Sequence, residues 1–238
     1  MIRAVTLDLD DTLWPIEPVI LSAESELDEW LRANCPEVAE AWPVEAMREL
    51  RTRVFAENPH LSHDFSALRK LSLAQAFQGF DRGDDWVERA YEVYFDARNR
   101  VELYPEARAA LESLAARWPL ASISNGNADL HRIGLGEFFV AMVSSRVVGH
   151  AKPDARIFRK AAVHLGLDPH EIVHVGDDPE LDVLGAKRAG MFTVWLNRHG
   201  AQWAHAERPD IEVRTLEGLE AALDALVAER RAQKERTA

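Results

Sequence analysis

The sequence predicts an α/β protein: a parallel sheet flanked by helices and interrupted, after its first strand, by a four-helix insert. Three observations predict it. From Val101 onward short apolar strands alternate with amphipathic helices, the pattern of right-handed crossovers in a parallel sheet. Residues 20–100 carry helical periodicity and no strand pattern. A short apolar run, Ala4-Val5-Thr6-Leu7, precedes that helical block and reads as a buried strand cut off from the others. The expected core is therefore residues 1–14 plus 101–238, and the expected insert, a cap, is residues 15–100. An insert that leaves directly after the first strand is placed to act as a lid.

Each element has its own signal. In the insert, residues 22–32 make a polar helix with Leu27, Trp30 and Leu31 on one side. Pro43 suits the first turn of a second helix, in which Met47, Leu50 and Val54 recur at helical spacing until Asn58-Pro59-His60 breaks it. Residues 66–77 form a third, with Leu68, Leu71 and Phe77 inward, and residues 85–98 a fourth, with Trp86, Ala90, Tyr91 and Tyr94 on one stripe. Such stripes are bundle core rather than a cofactor box. In the second part of the core, helices are expected at 106–118, 154–165, 180–189 and 216–229, with a short one after Asn127. Strands are expected at 120–124, 140–144, 172–176, 192–196 and 211–213. The charged tail after Arg230 is expected to fray.

Composition narrows the function classes. Of 238 residues, 47% are hydrophobic, enough for a substantial core. Asp and Glu number 40 against 28 Lys and Arg, a formal charge of −12 that disfavours a nucleic-acid partner. The single cysteine, Cys35, allows neither an intrachain disulfide nor a Cys-rich zinc site. No apolar run reaches membrane-spanning length and no signal-peptide pattern opens the chain, so no membrane partner is expected and the cytoplasm is the expected location.

The chemistry collects at strand ends. Asp8, Asp10, Asp11 and Thr12 directly follow the first strand. Carboxylates this close need a cation or a proton, and oxygen-only donors suit Mg²⁺; taken alone, an acidic turn is an equal alternative. Ser124-Asn125-Gly126-Asn127 follows the second strand, where a hydroxyl and main-chain N–H groups can hold an anionic oxygen or simply cap a turn. Lys152 sits just before a helix, a poor place for a cation unless an anion lies between, although most lysines are merely solvated. Gly176-Asp177-Asp178-Pro179-Glu180-Leu181-Asp182 puts four acids at another strand end. In a parallel sheet these ends share one edge, which places the acids of two strands together as a metal site.

In this order, Asp-x-Asp-x-Thr, Ser-Asn, Lys-Pro and Gly-Asp-Asp-x-x-x-Asp resemble the haloacid dehalogenase superfamily over the whole chain, with the helical insert where its type 1 cap belongs. The resemblance implies a Rossmann-like core and, as in most members, Mg²⁺-dependent phosphatase activity. Asp8 then corresponds to the nucleophile that forms an aspartyl-phosphate, and Asp10 to the general acid and base. Thr12, Ser124, Lys152 and the main chain near Asn125 correspond to the groups holding the transferring phosphoryl. Asp8, the Asp10 carbonyl and Asp177 correspond to the Mg²⁺ ligands, while either Asp178 or Asp182 would orient metal-bound water or Lys152.

A narrower resemblance, to bacterial flavin-mononucleotide phosphatases that also act on a ribitylaminouracil phosphate, rests on several stretches. They are residues 7–13 with Glu17-Pro18-Val19-Ile20, Ser124-Asn125-Gly126-Asn127-Ala128, residues 134–139, residues 172–178, and, in the cap, His63-Asp64-Phe65 with Arg69. It implies a small phosphorylated metabolite as partner. Trp14, at the hinge, is a candidate for stacking on substrate; His60 and His63 are a metal or substrate pair or ordinary loop histidines. Rival chemistries share the core. A haloacid dehalogenase would use the same nucleophile on carbon without needing Asp10, a phosphonate hydrolase would need a Schiff-base lysine for which the insert offers Lys70, and a phosphomutase would differ in cap contacts. A non-enzymatic receiver domain is opposed by the order of the motifs.

Overall fold

A computed structural model describes the backbone of residues 2–237 and the side chains of residues 2–230. Six strands, β1 (Ala4–Leu7), β2 (Leu120–Ser124), β3 (Ala141–Ser144), β4 (Ile172–Gly176), β5 (Phe192–Leu196) and β6 (Ile211–Val213), form one sheet in the order β3-β2-β1-β4-β5-β6. Every pairing is parallel. All residues of β1, β2 and β4 are buried, which is why these strands read as apolar runs rather than as an alternation. β1 is central, with Leu7 opposite Ser122 on one side and Val175 on the other. The chain builds outward to β3 and then returns to β4 beside β1. The carboxyl ends of β1 and β4 thus form a switch point, where open α/β sheets bind ligands.

The helices are α1 (Ile16–Asn34), α2 (Pro36–Ala41), α3 (Val44–Glu57), α4 (Phe65–Phe77), α5 (Asp84–Arg98), α6 (Ala107–Ala115), α7 (Leu130–Ile133), α8 (Ser145–Val148), α9 (Ala155–Leu165), α10 (Gly185–Ala189) and α11 (Leu219–Thr237). The chain divides into two units. One holds the residues up to Pro15, Glu102–Gly126 and those from Gly134 onward; the other holds Ile16–Val101 and Asn127–Ile133. The helical unit has its own core, in which Leu27, Leu31, Leu50, Val54, Leu68, Leu73, Tyr91 and Tyr94 are buried. Trp30 and Trp86 pack against it, with their rings 5.9 Å apart. Truncating a fully buried leucine such as Leu50 would cost about 2–5 kcal/mol.

Several elements differ from expectation. The insert carries a fifth, six-residue helix, α2, begun by Pro36 in its first turn and too short to show periodicity. α1 starts at Ile16 rather than near residue 22, because Val19 and Ala23 already face the interior. Residues 127–133, expected in the core, belong to the helical unit. The Asp129 N–H donates to Asn99 Oδ1 at 2.7 Å, Arg132 pairs with Asp96 and lies 4.8 Å over the Phe95 ring, and Asn127 reaches Ser66 Oγ at 3.4 Å. The segment expected as one helix at 180–189 opens with a π-helical turn, Pro179–Leu184, before α10. α11 runs from Leu219 to Thr237, past Arg230. No helix among the described residues is long and apolar enough to cross a membrane.

Candidate active site

Asp8 is the first residue past β1, and its N–H donates to the Val175 carbonyl at 2.9 Å. That bond carries the β1–β4 ladder one residue further and fixes Asp8 at the carboxyl edge of the sheet. A tight turn follows. Leu13 N–H bonds back to Leu9 O at 2.8 Å, and Asp11 N–H to Trp14 O at 2.7 Å. Asp11 sits at φ 57°, a left-handed conformation that Asp tolerates and β-branched residues do not, so its work is to shape the turn. The Asp10 carboxylate accepts the Trp14 indole N–H at 2.9 Å. Trp14 itself is completely buried, which overturns its expected role of stacking on substrate: the ring offers no face, only an N–H.

Lys152 comes to Asp8 from the far side of β2. The Asn125 side chain clamps its main chain, accepting Lys152 N–H at 2.7 Å and donating to Lys152 O at 3.0 Å. Its ammonium donates to Asp8 Oδ1 and, at 2.6 Å, to Asp182 Oδ1. All three side chains are buried. Asp182 also accepts His174 Nε2–H at 3.1 Å on Oδ1 and Asp178 N–H at 3.1 Å on Oδ2. Asp182 holds Lys152, whereas Asp178 caps the turn after β4, accepting N–H groups of Glu180 and Leu181 at 2.8 Å each. Gly176 makes room for this arrangement, since a Cβ there would lie 2.3 Å from Asp182 Cγ.

Asp177 is reached from the other side. The Thr12 hydroxyl donates to Asp177 Oδ1 at 3.3 Å, and the Trp195 indole N–H to the Asp177 carbonyl at 2.8 Å. Thr12, expected to face phosphoryl oxygens, is fully buried, with its hydroxyl on Asp177. Ser124 Oγ accepts Gly126 N–H at 2.9 Å, which bends the loop after β2. Arg69, expected as a substrate contact, is buried inside the helical unit with its guanidinium 3.8 Å from the Tyr94 ring centroid. His63 lies in the turn leading into α4, partly buried. Two contributors carry no motif. Arg198 Nη2 donates to the Thr12 carbonyl at 2.9 Å while Nη1 pairs with Glu106 at 2.7 Å, and His174 supports Asp182. A lone histidine in the apolar run 172–176 was the one available signal for the latter.

One oxygen each of Asp8, Asp177 and Asp182 lie within 4.8 Å of one another. Burial raises Asp8 well above the ordinary carboxylate range; the Lys152 charge opposes this, and the charges of Asp182 and Asp177 add to it. Burial, then Asp182 and Asp11, push Asp177 up to about 7. Burial would raise Asp182 too, but Lys152 and His174 outweigh it and hold it low. Burial works against the Lys152 charge, and Asp182 and Asp8 overcome it, so the ammonium stays protonated. Burial lowers His174 and keeps it neutral. Crowded hard oxygens of this kind fit a divalent cation such as Mg²⁺. Since Asp182 already accepts three donors, Asp8 and Asp177 are the side chains that would hold it, with the Asp10 carbonyl as the third donor expected from the sequence.

A family model described as haloacid dehalogenase-like hydrolase matches residues 2–190. The chain is 31% identical over 226 residues to the 5-amino-6-(5-phospho-D-ribitylamino)uracil phosphatase of Escherichia coli strain K12, covering 92% of this chain and 94% of that one. Among solved structures, a 2-haloacid dehalogenase from Pseudomonas syringae pv. Tomato DC3000 matches with a TM-score of 0.89 and 37% identity, covering 95% of this chain and 100% of that one. A HAD phosphatase from Thermococcus onnurineus matches with a TM-score of 0.69 and 28% identity, over 93% and 98% of the two chains.

Proposed function

The chain belongs to the haloacid dehalogenase-like hydrolase family, and we propose that it is a Mg²⁺-dependent phosphomonoester hydrolase working through an aspartyl-phosphate on Asp8. The observation that carries this reading is the second carboxylate, Asp10, one turn from the buried Asp8–Lys152 pair and oriented by Trp14. Expelling an alkoxide from phosphorus calls for a proton donor; expelling a halide from carbon does not.

An Asp8 oxygen attacks phosphorus as the bond to the leaving oxygen breaks, and Asp10 delivers its proton to that oxygen. Asp10, now a carboxylate, takes a proton from a water that attacks the same phosphorus. Inorganic phosphate leaves and the Asp8 carboxylate is restored. Lys152, held by Asp182, keeps positive charge beside Asp8 and the transferring oxygens, and the loop after β2, through Asn125, anchors the Lys152 main chain. The cation, when bound, supplies charge neutralisation for the carboxylates and phosphoryl oxygens.

The substrate is a small phosphorylated metabolite. The likeness to the Escherichia coli enzyme supports a ribitylaminouracil phosphate or flavin mononucleotide. Purified protein with Mg²⁺ should release phosphate from p-nitrophenyl phosphate, and Asp8→Asn should abolish turnover; turnover surviving that substitution overturns the mechanism. Ranking flavin mononucleotide, sugar phosphates and nucleotides by kcat/KM tests the substrate, and a flat, weak profile counts against a flavin role. A second reading, hydrolysis of a 2-haloacid, is favoured by the match to the Pseudomonas dehalogenase structure. Halide release from a 2-haloacid without phosphatase activity would establish it instead.

A further inference from the structure

We propose that His174 is a positioning residue for Lys152: from inside the sheet it fixes the Asp182 carboxylate, which in turn fixes the ammonium against Asp8. His174 lies in β4, opposite Thr6 of β1 and Thr193 of β5, and is 1% exposed. An imidazole so placed has no solvent, so each ring nitrogen needs a protein partner. Both have one. Nε2 is 3.1 Å from Asp182 Oδ1, and Nδ1 is 2.9 Å from Thr6 Oγ1.

The partners dictate the tautomer. Asp182 is the counter-charge of Lys152 and can only accept, so Nε2 bears the proton. Nδ1 is then the acceptor, and the Thr6 hydroxyl the donor. The Thr6 hydroxyl's other acceptor, the Val173 carbonyl, is farther at 3.4 Å. Phe158 meets the imidazole edge to face with centroids 5.1 Å apart, which holds the ring plane. The chain Thr6–His174–Asp182–Lys152–Asp8 therefore runs from strand interior to site edge with every donor and acceptor assigned. Without Nε2–H, the shared oxygen of Asp182 is held by Lys152 alone. The flexible side chain that the carboxylate must place would then be that oxygen's own support.

The assignment rests on Asp8 as the attacking group, and the test separates the two. Steady-state kinetics on p-nitrophenyl phosphate with Mg²⁺ would compare wild type, His174→Leu and His174→Gln. The leucine variant removes the donor, and kcat should fall about tenfold or more with KM changing less than about threefold. The glutamine variant, whose Nε2–H can reach the same oxygen, should recover most of kcat. A leucine variant within twofold of wild type, or a glutamine variant as impaired as the leucine one, overturns the proposal. If His174→Leu does not fold, Thr6→Val decides: loss of the donor to Nδ1 frees the other tautomer, kcat should fall severalfold, and an unchanged kcat overturns the proposal. If wild type hydrolyses no phosphomonoester, the phosphatase reading fails while the positioning role is still read from ¹⁵N-labelled lysine. The Lys152 ammonium should exchange slowly in wild type and faster in whichever variant folds; unchanged protection overturns the role.

Discussion

Asn125 and Lys152 are bound to each other twice, Asn125 Oδ1 accepting the lysine N–H at 2.7 Å and Nδ2 donating to the lysine carbonyl at 3.0 Å. One side chain thus imitates a neighbouring strand for a single residue and sets where the Lys152 side chain starts. Asn125→Ala should cost about 1–3 kcal/mol for two lost hydrogen bonds, read as a lower urea midpoint. It should also lower kcat, because the ammonium loses its anchored base. Asn125→Asp, which keeps the acceptor and loses the donor, should fall between.

Gly176 is the position least able to accept a side chain. A Cβ would lie 2.3 Å from Cγ and 2.6 Å from Cβ of Asp182, and Asp182 is held by Lys152, His174 and the Asp178 N–H. Gly176→Ala should destabilise the protein by about 1–3 kcal/mol. Turnover should drop more than stability at temperatures where the fold persists, a contrast checked by circular dichroism and phosphate release on the same sample.

Metal binding should be visible without turnover. Added Mg²⁺ should bind the folded chain and raise its melting temperature in a concentration-dependent way. Asp177→Asn removes one of the side chains that would hold the ion and should abolish that shift, with EDTA reversing it in wild type. An equal shift in both proteins would place the ion elsewhere.

Glu24 makes the helical unit acid-sensitive. Burial would raise its carboxyl, but hydrogen bonds from Arg48, at 2.6 Å, and from Arg51 outweigh that and hold it below its ordinary value of 4.5. Since the folded value is depressed, the unfolded chain binds the proton more readily. The stabilisation is complete above the unfolded value and is lost as pH falls through the folded one. Glu24→Gln should therefore lower stability by about 1–3 kcal/mol at pH 7. The gap to wild type should shrink as pH drops below about 4, measured by urea unfolding.

The inner strands were legible because burial on both faces leaves a largely apolar run: β2, β4 and β5 end where their runs end. The acids of the site were legible for the same reason, as polar residues placed abruptly after such runs. Pairings across the chain were not. Thr12 reads as a hydroxyl in a motif, yet its partner, Asp177, is 165 residues away, and its carbonyl is held by Arg198, 186 residues away. Trp14 illustrates the same limit: sequence places it next to the acids, but only packing turns the ring inward and leaves its N–H for Asp10. α2 was invisible because six residues are too few to establish a period.

The central place of β1 also has a consequence for synthesis. β1 is translated first among the strands, but its neighbours begin at Leu120 and Ile172. An apolar strand followed by three acids must therefore wait, unpaired, for more than a hundred residues. Meanwhile helices α1 and α3–α5, whose partners lie close by in sequence, have been made. Domains form as their parts emerge, at roughly 5–20 residues per second, so β1 spends many seconds exposed on the nascent chain. Asp8 and Asp10 thus emerge more than a hundred residues ahead of Lys152, Asp177 and Asp182, the groups that enclose them.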